Sequence, residues 1–151
     1  MNDDLRTGSK GIELIKAFEG VKLRSYLCPA RIWTIGVGHT GPEVRTGMMI
    51  TEQQAMNLLS SDMLKFEREI KRVVSAPLTQ WQFDALVSFV YNVGGGNFRS
   101  STLLKKLNQH LYEEVPAQML RWNKANGVAL AGLTRRRTSE GRLFETGKFV
   151  Y

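Results

Sequence analysis

The chain has 151 residues, 42% of them hydrophobic and 23% charged, with fourteen Gly and four Pro; this composition excludes a disordered, collagen-like or low-complexity chain and suits one domain with one core. A single cysteine, Cys28, excludes an internal disulfide and a Cys-rich zinc module. The net charge of +7, concentrated in residues 101–151 where nine Lys or Arg face four Asp or Glu, points to a polyanionic partner: nucleic acid, acidic cell wall or anionic membrane.

Taken in chain order, Ser9 is placed to cap a helix with apolar positions at Ile12, Ile15 and Phe18, stopped by Gly20 just after Glu19. Residues Leu23 to Leu27 and Ile32 to Gly38, separated by Cys28-Pro29-Ala30-Arg31, read as a β-hairpin or small sheet. Thr51-Glu52-Gln53-Gln54 fits a capping box and opens a long helix to about Ser75, carried by the stripe Ala55, Leu58, Leu59, Phe66, Ile70 and Val73. Thr79-Gln80-Trp81-Gln82 is a second box, leading into an apolar central helix that halts at Gly94-Gly95-Gly96. Further helices are expected over Ser100–Leu107, about 113–124 with Pro116 in its first turns, and Thr134–Thr146 before Gly147. Everything after residue 51 thus reads as helical. The expected architecture is α+β: an N-terminal lobe over about 10–50, a connecting helix over about 51–75 and a helical lobe over about 76–151, in a single domain. In the last helix, Arg135, Arg136, Arg137 and Arg142 form either a solvated face or a polyanion contact.

No apolar run approaches the ~18 residues of a membrane span, and Met1-Asn2-Asp3-Asp4 lacks the basic and apolar regions of a signal peptide. The expectation is cytoplasmic synthesis without signal peptide or anchor and no stable membrane insertion. If the protein works outside the cell, something else must release it.

The chemistry concentrates in Glu19, Cys28 and Thr34, followed by Gly36-Val37-Gly38-His39-Thr40. A carboxylic acid at a helix lip would face a hairpin bearing a thiol, a hydroxyl and an imidazole, which are acid, base and water-holding groups. On spacing alone these residues also fit a solvated helix-end glutamate, a small buried cysteine and a strand threonine.

Phe18-Glu19-Gly20 through Tyr26 and Trp33-Thr34-Ile35-Gly36-Val37-Gly38-His39-Thr40 resemble the phage-type lysozymes and endolysins of glycoside hydrolase family 24. Ala85 to Gly94 looks like the family's central helix. Asn97 to Leu104 follows as in endolysins, and Gly132-Leu133-Thr134-Arg135-Arg136-Arg137 resembles its closing helix. The resemblance implies a lysozyme-like fold and hydrolysis of the β-1,4 bond between N-acetylmuramic acid and N-acetylglucosamine in peptidoglycan, leading to host cell lysis. In that family a Glu, eight residues, an Asp or Cys, five residues and a Thr form the catalytic constellation, so Glu19, Cys28 and Thr34 are expected to carry the reaction. Glu19 is then the proton donor, favoured by an apolar wall and opposed by a neighbouring cation. Cys28 stands where Asp is commoner, as a water-activating thiolate, a nucleophile or a filler, and Thr34 holds the water. Tyr91 and Asn92 are expected to meet sugar and N-acetyl groups, with Tyr91 alternatively core. Arg136, or Arg135 or Arg137 if the register slips, is the expected electrostatic partner of Glu19. His39 is expected to tie the hairpin to the long helix, with Asp62 as its ion-pair partner.

The resemblance further implies peptidoglycan glycan strands as partner, holin-type release to the periplasmic wall, a monomer, and neither cofactor, metal nor nucleic acid. The competing readings are a lytic transglycosylase, which ends in an anhydro sugar, and an inactive basic wall-binding or nucleic-acid-binding domain.

Overall fold

The computed structural model describes residues 1–151. Helix α1 (Ser9–Glu19) buries Gly11, Leu14 and Ile15 and stops at Gly20, whose N–H returns to the Lys16 carbonyl. The expected Ser9 cap is corrected: Gly8 holds the N-cap position without a side-chain cap. A distant residue supplies what a local cap would, since the Gly8 N–H donates to Asp84 Oδ1 at 2.8 Å. A buried carboxylate of α3 thus answers a backbone donor at the start of α1. At the other end, Glu19 is left on the helix's C-terminal lip.

Strands β1 (Lys22–Leu27), β2 (Trp33–Gly36) and β3 (His39–Thr40) form an antiparallel sheet in that order. The register sets Tyr26 opposite Thr34 and Ile35 opposite His39. Directly opposed residues share a face of the sheet, so Tyr26 and Thr34 stand side by side.

Helix α2 (Glu52–Val73) has the expected capping box: Thr51 Oγ1 accepts from the Gln54 N–H at 3.1 Å, and Gln54 Oε1 accepts from the Thr51 N–H at 2.8 Å. Its twenty-two residues span about 33 Å at 1.5 Å per residue, enough to run from the sheet to the helical lobe. Helix α3 (Gln80–Val93) repeats the device with Thr79 and Gln82. Every residue from Phe83 to Val90 on α3 is buried, Asp84 and Ser88 included. Around it, Leu14 and Ile15 of α1, Val37 of the sheet lobe, Leu59, Met63 and Ile70 of α2 and Leu143 and Phe144 of the last helix pack into one hydrophobic cluster. The lobes are therefore joined by shared core as well as by α2.

Beyond α3 the expectation of helix throughout is corrected. Gly94 ends α3, but the glycine run starts a new short helix, α4 (Gly95–Arg99), before α5 (Thr102–Asn108) capped by Ser101. The helix expected over about 113–124 is a 3-10 turn (Tyr112–Glu114) and a short α6 (Val115–Leu120). It gives way to a two-stranded ribbon, β4 (Lys124–Ala125) and β5 (Val128–Ala129). The ribbon turns on Asn126 and Gly127, both with positive φ (51° and 79°), as a type I′ turn requires. Helix α7 (Ala131–Thr146) starts three residues before the expected Thr134 and ends at Gly147. No helix is long and apolar enough to cross a membrane.

Candidate active site

The end of α1 and the turn between β2 and β3 bring Glu19 into a confined position. Its side chain is 20% exposed, and Arg136 Nη1 of α7 lies 2.6 Å from Oε2. The other oxygen abuts Gly38: a Cβ there would lie 2.5 Å from Glu19 Oε1, and Gly38 has φ +67°. Only a glycine lets this backbone approach so closely. The turn is held in place by Tyr91 of α3, whose hydroxyl donates to the Val37 carbonyl at 2.5 Å. Tyr91 also packs on Phe66, with ring centroids 5.3 Å apart. Burial, with the nearby charges of Asp62 and Glu19, pushes its phenol well above the usual range. Tyr91 is thus committed to the fold with its polar atom spent, while its neighbour Asn92 is exposed on the groove wall.

Cys28 begins the tight turn between β1 and β2. Its N–H donates to the Ile32 carbonyl at 3.1 Å and its carbonyl accepts from the Arg31 N–H at 2.7 Å, with Arg31 at φ +62°. The Ile32 amide chiefly holds the Cys28 thiol below its ordinary range; burial opposes this, while the Ala30 amide, the Thr34 hydroxyl and the thiol's own amide assist. Backbone amides of the turn are thus the chief cause of the lowering. Thr34 is buried, and its hydroxyl donates to the Ile32 carbonyl at 2.9 Å.

Tyr26, unassigned from sequence, stands in the same constellation. Burial is the main cause that raises its phenol above the ordinary range, followed by the charges of Glu19 and Cys28.

Arg136 and Arg137 are 4% and 0% exposed, which corrects the solvated or polyanion-facing reading for these two, while Arg135 and Arg142 are exposed. Arg136 donates through Nε to Glu140 Oε2 at 3.2 Å and through Nη2 to the Ser88 carbonyl at 3.1 Å. Arg137 pairs with Glu140, Nε lying 2.7 Å from Oε1 but off the N–H line, and Nη2 donating to Oε2 at 3.1 Å. Arg135 remains outside, its guanidinium 3.7 Å from the Tyr151 ring centroid.

His39 bridges Asp62 of α2 (Nδ1 to Oδ2, 2.7 Å) and Glu43 (Nε2 to Oε1, 2.6 Å). Burial works against the charged ring, but the Glu43 and Asp62 carboxylates override it, so His39 titrates above its ordinary range. This contact ties β3 to α2, away from Glu19's ion pair.

Glu19, Arg136, Asn92, Pro29, Leu130 and Tyr151 line an open groove of about 580 Å³. A polar acid at one wall and exposed apolar edges at the other suit a largely polar, ring-shaped ligand. No group of three or more His, Cys, Asp or Glu side chains is arranged to hold a metal ion.

A family described as phage lysozyme matches residues 16–140. The endolysin of Bacillus phage B103 is 42% identical over 140 residues, covering 91% of this chain and 53% of its own length. This chain therefore spans about half of that relative. Among solved structures, the endolysin from Escherichia coli O157:H7 phage FAHEc1 superposes with a TM-score of 0.90 at 34% identity, covering 98% of each chain. The muramidase domain of SpmX from Asticaccaulis excentricus gives 0.87 at 40% identity, covering 94% of this chain and 99% of its own.

Proposed function

The chain belongs to the phage lysozyme family, and from that premise we propose that it is a muramidase of the endolysin kind, hydrolysing the β-1,4 bond between N-acetylmuramic acid and N-acetylglucosamine in peptidoglycan. The observation that carries this reading is the placement of Glu19 on the groove, ion-paired to Arg136 through one oxygen and with the other in the space a side chain at Gly38 would need.

In its protonated form Glu19 donates to the glycosidic oxygen as the bond to the anomeric carbon breaks. A water molecule, held by Cys28 and the Thr34 hydroxyl, attacks the opposite face of that carbon and gives up its proton to the thiolate. The lowering of the thiol supports this role, because it favours the thiolate, which is a far better base than a hydroxyl. Acetal hydrolysis of this kind calls for a proton, a water molecule and positioned hydrogen bonds, with no cofactor in the balance. Both lobes act as one catalytic domain over the whole chain, with Asn92 meeting the sugar's amide and Arg135 the acidic polymer. Burial of Arg136 and Arg137 removes two of the four arginines that a nucleic-acid reading would use.

In this reading the protein is made in the host cytoplasm, works as a monomer and reaches the wall through a holin-type release partner. The test is Glu19→Gln, which keeps size and hydrogen bonding but deletes the transferable proton. Clearing of purified murein should fall by at least ~10²-fold with the fold intact. Mass spectrometry of the wild-type muropeptides should find reducing ends with one water added per cleaved bond. Anhydro sugars would make the enzyme a transglycosylase, and a fully active Glu19→Gln variant would end the assignment.

A further inference from the structure

Behind Arg136 lies a second carboxylate that the proposed reaction does not use. Glu140 is fully buried and accepts three hydrogen bonds on Oε2, from Arg136 Nε at 3.2 Å, Arg137 Nη2 at 3.1 Å and the Ser88 hydroxyl at 2.6 Å, while Oε1 pairs by charge alone with Arg137 Nε at 2.7 Å. The Arg136 guanidinium is consequently fixed from three elements: Glu140 of its own helix, Ser88 of α3 at the carbonyl and hydroxyl (3.1 and 3.3 Å), and Glu19 of α1. A planar guanidinium with each nitrogen engaged has no freedom to follow its acid partner.

The charge balance carries the argument further. Two buried guanidinium ions and one buried carboxylate leave a net charge of +1 for Glu19 to face. A general acid must be uncharged before it acts, so the more positive this cluster is, the harder Glu19 is to load with a proton. We infer that Glu140 is a positioning residue and counterion that holds Arg136 in place and limits the positive field on Glu19. This rests on the muramidase reading above.

The other groups around the pair do not supply that negative charge. Helix α6 packs Pro116 against Gly141 and has no charged residue in its sequence. The Trp122 carbonyl accepts from Arg137 at 3.4 Å. Around Glu19 itself stand Arg136 and the phenols of Tyr26 and Tyr91. An isolated buried guanidinium pair would be costly without Glu140, and losing that charge leaves Glu19 as its sole carboxylate.

Three variants of the full chain test the inference: Glu140→Gln, Arg137→Met, and the two combined, which face Glu19 with +2, 0 and +1. Activity on murein is measured from pH 4 to 9 for each variant shown to be folded by circular dichroism. Glu140→Gln should lose about tenfold at pH 7 and under about threefold at pH 5, its alkaline limb moving to lower pH. Arg137→Met should move that limb the other way, so the sign is readable even if Glu140→Gln does not fold. The double variant should return to within about threefold of wild type at pH 7. Carbon-13 NMR of the Glu19 carboxyl should show its titration displaced in the same directions, a readout that does not need turnover. If wild type fails to cleave murein while these titrations shift, the muramidase reading falls and the charge relation stands. Uniform losses at every pH, with unmoved carboxyl titrations, would overturn the inference and leave Glu140 a packing residue.

Discussion

Gly38→Ala separates backbone strain from a direct collision with the acid. The new Cβ would lie 2.5 Å from Glu19 Oε1 and 2.9 Å from Cδ, whereas ordinary contact begins at 3.4 Å, so the carboxyl must retreat by about 0.9 Å. It cannot retreat freely, because Arg136 holds its other oxygen at 2.6 Å and is itself nearly fully buried. Misplacing a reacting group by about 1 Å costs on the order of 10²-fold in rate. The positive φ adds about 1–2 kcal/mol of destabilisation for a residue with a side chain, or roughly 2–8 °C in Tm for a chain of this size. Gly47→Ala is the control: φ is +75° there and a Cβ meets nothing within 4 Å. Both variants should lose similar stability by differential scanning calorimetry, but only Gly38→Ala should lose murein clearing, and chiefly in kcat. Equal activity in the two variants at 25 °C would refute the steric argument and, with it, the idea that the β2–β3 turn sets the acid's position.

The His39 bridge predicts a pH-dependent stability. Because the folded ring titrates above its ordinary value, its contribution is fully present below about pH 6.5 and is lost as pH rises through the raised value. His39→Asn should therefore cost about 2 kcal/mol near pH 5.5 and much less near pH 9, measured by thermal unfolding across pH; a pH-independent loss would remove the ion-pair explanation. For Cys28, Cys28→Asp should stay active and Cys28→Ser should lose most activity, since a hydroxyl binds water without serving as its base. Alkylation of the thiol should inactivate, with protection by a glycan fragment. Full activity in Cys28→Ala, with an unchanged pH profile, would reduce the constellation to Glu19 and Thr34.

The elements legible in the sequence are those whose signals are local. Thr51 with Gln54 and Thr79 with Gln82 satisfy their own helix ends, so both boxes could be read without knowing what surrounds them. The α1 start could not, because its donor Gly8 is answered by Asp84, seventy-six residues away. Ser9 was the best local candidate and is simply the first helical residue. The ribbon after α6 was missed although Asn126-Gly127 is a strong two-residue turn signal. Its strands are two residues each and exposed, too short to show the alternation that normally accompanies such a turn.

The site shows the same division. Glu19, Cys28 and Thr34 could be singled out because a helix stop and a hairpin bring them near one another within sixteen residues of chain. The Arg136 partnership with Glu19 came from motif resemblance, since nothing local fixes a contact across 117 positions. What the sequence hid was the state of the arginines. A run of three adjacent arginines looks like a charged face, but successive helical residues point about 100° apart, so they cannot share one surface. Arg135 faces out over Tyr151, whereas Arg136 and Arg137 turn into the bundle, where Glu140 lies within one turn of both. The spacing from Arg136 and Arg137 to Glu140 is four and three residues, the separations at which helical side chains meet. Two buried cations therefore require an acid at that position, and the outward residue alone is free for an acidic wall. A positive total charge thus measures two different things in this chain: surface available to a polyanion, and internal charge already committed to holding Glu19.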